Sequence, residues 1–120
     1  MKIREIINSD TCTLSFEVFP PKTDTDFENV KQAAYGVASL HPSYMSVTYG
    51  AGGSTSGQTV AIAQGIQKDF DVPTIAHLTC VGATRESIHQ SLQEMKDAGV
   101  ENVLALRGDR PQWMDREPFT

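Results

Sequence analysis

Hydrophobic and polar residues alternate along four short segments of the chain, and longer amphipathic segments separate them. The alternation has the period of two that is typical of β-strands. It predicts strands over about residues 13–19, 44–49, 74–80 and 101–106. Between them, apolar residues recur at helical spacing, which predicts three helices. The first covers about residues 25–40, the second follows the glycine-rich residues 50–53 and ends at about residue 70, and the third covers about residues 85–98. Residues 2–8 are predicted to form a short helix or an arm.

The helix over residues 85–98 has the clearest end signals. Thr84 is a candidate N-cap with Ser87 three residues later, and Gly99 is the expected residue just past the carboxyl end. The preceding helix contains Gly65, which costs about 1 kcal/mol relative to alanine and so weakens the prediction there.

Strand and helix follow one another in regular order, with a spacing of about thirty residues that is normal for βαβ units. Such repeats form parallel sheets with right-handed crossovers. Two architectures satisfy this order. One is an open four-stranded sheet, and the other is part of a closed (β/α)8 barrel, which needs about 250 residues.

The two faces of the strands favour the barrel, because one face is polar and the other apolar. The polar face is predicted to carry Ser15, Glu17, Ser46, Thr48, His77 and Thr79, with Arg107 just past the fourth strand. The apolar face is predicted to carry Phe16, Val18, Met45, Val47, Ala76, Leu78, Leu104 and Leu106. An open doubly wound sheet would be apolar on both faces. We therefore predict an α/β fold of parallel (β/α) units, the N-terminal half of a TIM-type barrel, with residues 1–120 as a single partial domain.

Composition and charge argue against several classes of binding partner. The chain has 120 residues, a formal net charge of −5 and no run of like charges, which argues against nucleic acid and anionic membranes as partners. The first residues lack the uninterrupted apolar core of a signal peptide. Cys12 and Cys80 fit no metal-ligand spacing, so we expect reduced thiols, no metal site and a cytoplasmic protein.

Glu17 is unusual because it places a carboxylate inside an otherwise apolar strand that ends at Pro20 and Pro21. Burial disfavours the charged form of a carboxylate, and a neutral carboxylic acid at the end of a strand can serve as a general acid. The alternative is that Glu17 lies on a solvated face. The stretch itself leaves both readings open.

Polar groups occur at the carboxyl end of every predicted strand, where the sites of α/β folds form. Each group also has a purely structural interpretation. His77 can be a hydrogen-bonded core histidine, Thr48 can cap a turn, and Arg107 can pair with Asp109. The glycine-rich residues 50–53 resemble a phosphate loop but lack its lysine.

Four motifs together resemble those of the methylenetetrahydrofolate reductase family, in that family's order and spacing. They are residues 15–22 (SFEVFPPK), 46–51 (SVTYGA), 76–80 (AHLTC) and 104–109 (LALRGD). The resemblance implies a (β/α)8 flavoprotein of one-carbon metabolism and methionine biosynthesis. Such an enzyme carries FAD, oxidises NADH or NADPH, and reduces 5,10-methylenetetrahydrofolate to 5-methyltetrahydrofolate.

The resemblance also implies roles for individual residues. Glu17 matches the family's catalytic acid, which protonates the bridging nitrogen of the folate so that its five-membered ring opens. Glu17 and Asp109 would contact the folate substrate. The family's cofactor contacts fall on Thr48, Tyr49, Ala51, His77, Arg107, Gly108 and Asp109.

The family's barrel is more than twice as long as this chain, so we expect a fragment. The first and fourth strands would then have bare edges, which predicts a homo-oligomer. Two alternatives remain: a non-catalytic half-barrel that self-associates and binds no flavin, and an anion-binding domain that uses residues 50–53.

Overall fold

The computed structural model describes residues 1–21, 26–49 and 56–110. Helices and strands alternate along the chain. They are α1 (Ile3–Ile7), β1 (Ser15–Val18), α2 (Phe27–Ala38), β2 (Tyr44–Val47), α3 (Ser56–Phe70), β3 (Thr74–Thr79), α4 (Arg85–Asp97) and β4 (Asn102–Leu106). The four strands form one parallel sheet in the order β1-β2-β3-β4. This confirms the predicted α/β fold, which is consistent with the N-terminal half of a TIM-type barrel.

One face of the sheet carries the hydrophobic core. Its strand residues and the facing helix residues are almost fully buried: Met45, Val47, Ala76 and Leu78 from the strands, Ile62, Ala63 and Ile66 from α3, and Met95 from α4. Burying each Val, Leu, Ile or Met side chain of this set contributes about 1.5–3 kcal/mol relative to leaving it exposed, so this layer holds the helices on one side of the sheet. The opposite face, which would face the lumen of a barrel, is left for polar groups.

The register corrects the prediction for β4. Leu104 pairs with His77 and Leu106 pairs with Thr79, so both leucines lie on the polar lumen face rather than on the helix face. The prediction was wrong because residues 103–106 are all apolar, and alternation then gives no indication of which face is which. The outcome is an outer strand with exposed apolar residues on both faces, with Val103 39%, Leu104 43% and Leu106 38% exposed.

The end signals of α4 are confirmed. Thr84 Oγ1 accepts a hydrogen bond from the Ser87 backbone N–H at 3.1 Å, and Ser87 Oγ accepts one from Thr84 N–H at 3.0 Å, which together form a capping box. Gly99 follows with a φ of +78°, the left-handed conformation that glycine adopts without a steric penalty. The predicted N-terminal helix or arm is the helix α1.

Gly65 has a packing reason inside α3. A Cβ atom at this position would overlap the hydroxyl of Tyr35 in α2 and come within 2.8 Å of its Cζ atom. The Tyr35 ring is in turn held by an edge contact with Phe70, with ring centroids 5.1 Å apart. The absence of a side chain therefore lets the two helices approach each other, which offsets the helix propensity that glycine loses.

Asn102 ties the N-terminal segment to the amino ends of β3 and β4. Its Oδ1 accepts a hydrogen bond from Ile3 N–H at 2.9 Å, and its Nδ2 donates to the carbonyl oxygens of Met1 at 3.1 Å and Thr74 at 3.3 Å. The N-terminal ammonium donates a hydrogen bond to Glu101 at 2.7 Å, which lowers the pKa of that carboxyl. These contacts occupy the amino end of the sheet and leave the carboxyl end free for a site.

None of the helices in the described ranges combines the length and the apolar character that a transmembrane span requires.

Candidate functional site

The carboxyl ends of β2, β3 and β4 enclose an open cleft of about 660 Å³. Six of the residues predicted for the site line it: Thr48, Tyr49, His77, Arg107, Gly108 and Asp109. Thr79, Val81 and Leu106 add to its walls. The predicted site residue Ala51 and the glycine-rich residues 50–53 fall outside the described residues.

The loop after β4 is held against β3 by backbone contacts. The ladder continues beyond the strands, because Cys80 N–H donates to the Leu106 carbonyl at 2.9 Å and Val81 N–H donates to the Arg107 carbonyl at 2.7 Å. Gly108 then adopts a φ of +86°, and a Cβ atom there would lie 3.0 Å from both Thr79 Cβ and Val81 Cγ1. A glycine is therefore required for the backbone around Arg107 and Asp109 to reach the cleft.

Thr48 is positioned through its backbone. Its N–H donates to the Val18 carbonyl at 3.0 Å, and its own carbonyl accepts a hydrogen bond from Thr59 Oγ1 in α3 at 2.8 Å. Thr59 is fully buried. No motif in the sequence pointed to it, although a polar residue one turn before Ile62 and Ala63 on the buried side of α3 was a usable signal.

A second group of polar side chains, which we call the Glu17 cluster, consists of Glu17, Ser46 and His77. Ser46 Oγ lies 3.1 Å from Glu17 Oε1 and 2.6 Å from His77 Nε2. His77 Nε2 lies 3.3 Å from Glu17 Oε1. The register brings them together, since Glu17 pairs with Ser46 across β1 and β2, and Ser46 pairs with Ile75, two residues before His77 in β3.

Exposure differs within the cluster. The His77 side chain is 11% exposed, whereas that of Glu17 is 46% exposed. The burial on which the general-acid argument for Glu17 rested is therefore absent, because the lumen face of these four strands is open. Ser46 was placed on the polar face by the sequence but not assigned to the site, since a lone serine in a strand gives no chemical signal.

The cleft and the Glu17 cluster form one continuous site, because His77 belongs to both. The site offers a carboxylate at Glu17, another at Asp109 and a guanidinium at Arg107, beside the apolar side chains of Val81 and Leu106. Convergent polar groups on an apolar wall are typical of a site for a small molecule or a cofactor.

Comparison with known proteins identifies the family. A family model described as methylenetetrahydrofolate reductase matches residues 2–119. The chain belongs to the methylenetetrahydrofolate reductase family. This confirms the resemblance on which the site residues were chosen, and the roles of those residues remain predictions.

Several individual relatives of this family are similar over most of the chain. "Methylenetetrahydrofolate reductase (NADH) 1" of Arabidopsis thaliana is 39% identical over 115 residues, which are 96% of this chain and 19% of the relative. "Methylenetetrahydrofolate reductase 1" of Schizosaccharomyces pombe is 41% identical over 102 residues, 81% of this chain and 16% of the relative. "5,10-Methylenetetrahydrofolate reductase" of Pectobacterium carotovorum subsp. carotovorum is 35% identical over 115 residues, 91% of this chain and 39% of the relative. The chain thus spans between about a sixth and two-fifths of the length of these relatives.

Proposed function

We propose that this chain provides the flavin cleft and the acid of a methylenetetrahydrofolate reductase, which reduces 5,10-methylenetetrahydrofolate to 5-methyltetrahydrofolate with a nicotinamide reductant. The observation that supports this is the convergence of six predicted site residues on one cleft that shares His77 with Glu17. The names of the relatives support the folate reaction. The plant relative's name supports NADH over NADPH as the reductant.

The polar groups of the cleft match those of the isoalloxazine ring of FAD. Thr48 and Tyr49 supply hydroxyl groups, Arg107 supplies fixed donors for carbonyl oxygens, and Asp109 supplies an acceptor for ring N–H groups. When bound, FAD supplies the hydride transfer from the nicotinamide to the one-carbon unit of the folate, while the protein contributes position and electrostatics.

Glu17 is the proposed proton donor to the bridging nitrogen of the folate. Its carboxyl is held by Ser46 but remains 46% exposed on the lumen face, so a substrate that enters from the open side can reach it. Asp109, which lines the cleft, is proposed to contact the folate and to orient it. The proton moves from the Glu17 carboxyl to the substrate nitrogen, and the carboxylate that results must be reprotonated before the next turnover.

The alternative is a half-barrel that self-associates and binds no flavin. Two observations favour this alternative. Apolar residues of β4 are exposed, and among the described residues no strand pairs with the outer edge of β1 or of β4. The homo-oligomer predicted from the sequence rests on the same edges, since unpaired strands are templates for pairing with another copy. If the protein is a monomer at high concentration in sedimentation equilibrium, self-association of the half-barrel is excluded.

The spectrum of the purified protein tests the proposal. We expect added FAD to bind with a change in flavin absorbance and fluorescence, and anaerobic NADH to bleach the bound flavin. Arg107→Gln should weaken FAD binding, whereas Arg85→Gln on α4, outside the cleft lining, should leave it unchanged. If added FAD shows no change in absorbance or fluorescence, the protein does not bind it. That result would contradict the proposal and support the half-barrel that binds no flavin.

A further inference from the structure

The hydroxyl of Ser46 lies between two groups that can each carry a mobile proton, Glu17 Oε1 at 3.1 Å and His77 Nε2 at 2.6 Å. A serine hydroxyl has one proton to donate and lone pairs with which to accept. It can therefore donate to only one of these neighbours at a time. The other contact is a hydrogen bond only if that neighbour donates to Ser46.

This leaves two proton arrangements for the Glu17 cluster. An ionised Glu17 can only accept, so Ser46 donates to Oε1 and His77 must carry a proton on Nε2 to donate to Ser46. A protonated Glu17 instead donates to Ser46, and Ser46 donates to His77 Nε2, which must then be unprotonated with the ring proton on Nδ1. The protonation of Glu17 is thus linked to the protonation of His77 through one hydroxyl.

We propose that Ser46 relays a proton from His77 to Glu17 and so restores the acid after each turnover, an inference that rests on the proposed role of Glu17. The relay starts with the His77 imidazolium, the Ser46 hydroxyl and the Glu17 carboxylate. The Ser46 O–H bond breaks as a proton bonds to Glu17 Oε1, and the His77 Nε2–H bond breaks as that proton bonds to Ser46 Oγ. The products are a neutral imidazole with its proton on Nδ1, an intact serine and a carboxylic acid, and water then returns a proton to His77.

The exposure of the two groups suits a relay that ends on Glu17. His77 is 11% exposed and Glu17 is 46% exposed, so the proton ends on the group of the Glu17 cluster that a substrate in the lumen can reach. Hydrogen bonds in a shielded site are stronger than in water. The other titratable or charged groups that line the same cleft as His77 are Tyr49, Arg107 and Asp109. The proton returns to His77 from water at the 11% of its side chain that is exposed.

The tautomer of His77 in the flavin-free chain tests the relay directly, by long-range proton–nitrogen NMR of ¹⁵N-labelled protein at neutral pH. The chain has three histidines, and His41 and His89 are exposed, so they serve as internal references and as a check of the fold. We expect the wild type to carry a proton on His77 Nε2. The amide of Glu17→Gln has both an N–H donor and a carbonyl acceptor, and with the N–H toward Ser46 it matches the protonated acid. In that variant we expect the proton to shift to Nδ1.

The contribution of Ser46 is isolated by adding a second substitution to Glu17→Gln. Ser46→Ala should return the His77 proton to Nε2, the tautomer that free histidine favours, while Ser46→Thr should keep it on Nδ1 because it keeps the hydroxyl. Ser15→Ala is the matched control, since Ser15 lies on the same face of β1 as Glu17 and is exposed. It should also leave the proton on Nδ1.

Two results would overturn the relay. One is a His77 tautomer that does not respond to Glu17→Gln, and the other is an Nδ1 proton that persists when Ser46→Ala is added. Neither depends on flavin. A chain that ignores FAD but switches its tautomer therefore contradicts the proposed function while supporting the proton linkage.

Discussion

A Cβ atom at Gly108 would lie 3.0 Å from the Cβ atom of Thr79, so the loop after β4 packs directly on the end of β3. This contact brings Arg107 and Asp109 to the same cleft as His77 and Thr48. The geometry of the candidate site thus depends on a residue with no side chain.

Gly108→Ala should destabilise the protein through two separate effects. The positive φ costs about 1–2 kcal/mol for a residue with a Cβ atom, and the overlap with Thr79 and Val81 adds about 1–3 kcal/mol of overpacking. Gly99→Ala is the matched control, because Gly99 has a similar φ of +78° with open space around its Cβ position. Urea unfolding should rank Gly108→Ala as clearly less stable than Gly99→Ala. Equal losses would show that the loop does not pack on β3.

Alanine at Gly65 and alanine at Gly36 should change stability in opposite directions, although both glycines lie inside helices. At Gly65 a Cβ atom displaces the Tyr35 ring, which costs about 1–3 kcal/mol of overpacking. At Gly36, in α2, nothing lies within 4 Å of the Cβ position, so alanine should stabilise by about 1 kcal/mol through helix propensity. Thermal unfolding of the two variants checks the sign. Stabilisation by Gly65→Ala would mean that α2 and α3 are not in this contact.

Thr59→Val keeps the shape of the side chain and removes the hydroxyl that donates to the Thr48 carbonyl at 2.8 Å. The part-buried carbonyl of Thr48 then loses a partner, at a cost of about 1 kcal/mol in the free energy of unfolding. Because Thr48 lines the cleft, we also expect weaker FAD binding, which a fluorescence titration measures. Thr59→Ser, which keeps the hydroxyl, should retain most of the affinity. An unchanged flavin affinity in Thr59→Val would show that this hydrogen bond does not affect the flavin site.

The fold could be predicted from the sequence wherever polar and apolar residues alternate. Residues 45–48 and 76–79 alternate in this way, and so the faces of these parts of the second and third strands were predicted correctly. Residues 103–106 are apolar throughout, so nothing in the local pattern indicated which of them faces the lumen. Only pairing with β3 decides that, and pairing is a long-range property.

The resemblance of the motifs identified the site residues at the strand ends, but it did not predict the contacts among them. The sequence placed Glu17, Ser46 and His77 on one face but gave no distance between them, because strand register is set across about 30 residues of intervening chain. It also gave no measure of exposure, which depends on what covers the lumen. The packing of Thr79 against Gly108 was likewise invisible, since glycine at a strand end is typical of many turns.

Asp109→Asn should shift the flavin potential and weaken folate binding. In the proposed site the carboxylate disfavours the anionic reduced flavin, so its removal should raise the mid-point potential of the bound flavin. Equilibrium reduction against a dye of known potential measures this. Glu94→Gln on α4, outside the cleft lining, is the control and should leave the potential unchanged. An unaltered potential in Asp109→Asn would contradict the charge argument.

In the proposed mechanism, Glu17 acts on the folate and not on the flavin. Stopped-flow measurement of the two half-reactions in Glu17→Gln tests it most directly. We expect reduction of the bound flavin by NADH to proceed at the wild-type rate, because that step needs no proton from Glu17. Reoxidation by 5,10-methylenetetrahydrofolate should slow by a factor of about 100 or more, the range for loss of a general acid. An equal slowing of both half-reactions would show instead that Glu17 is structural.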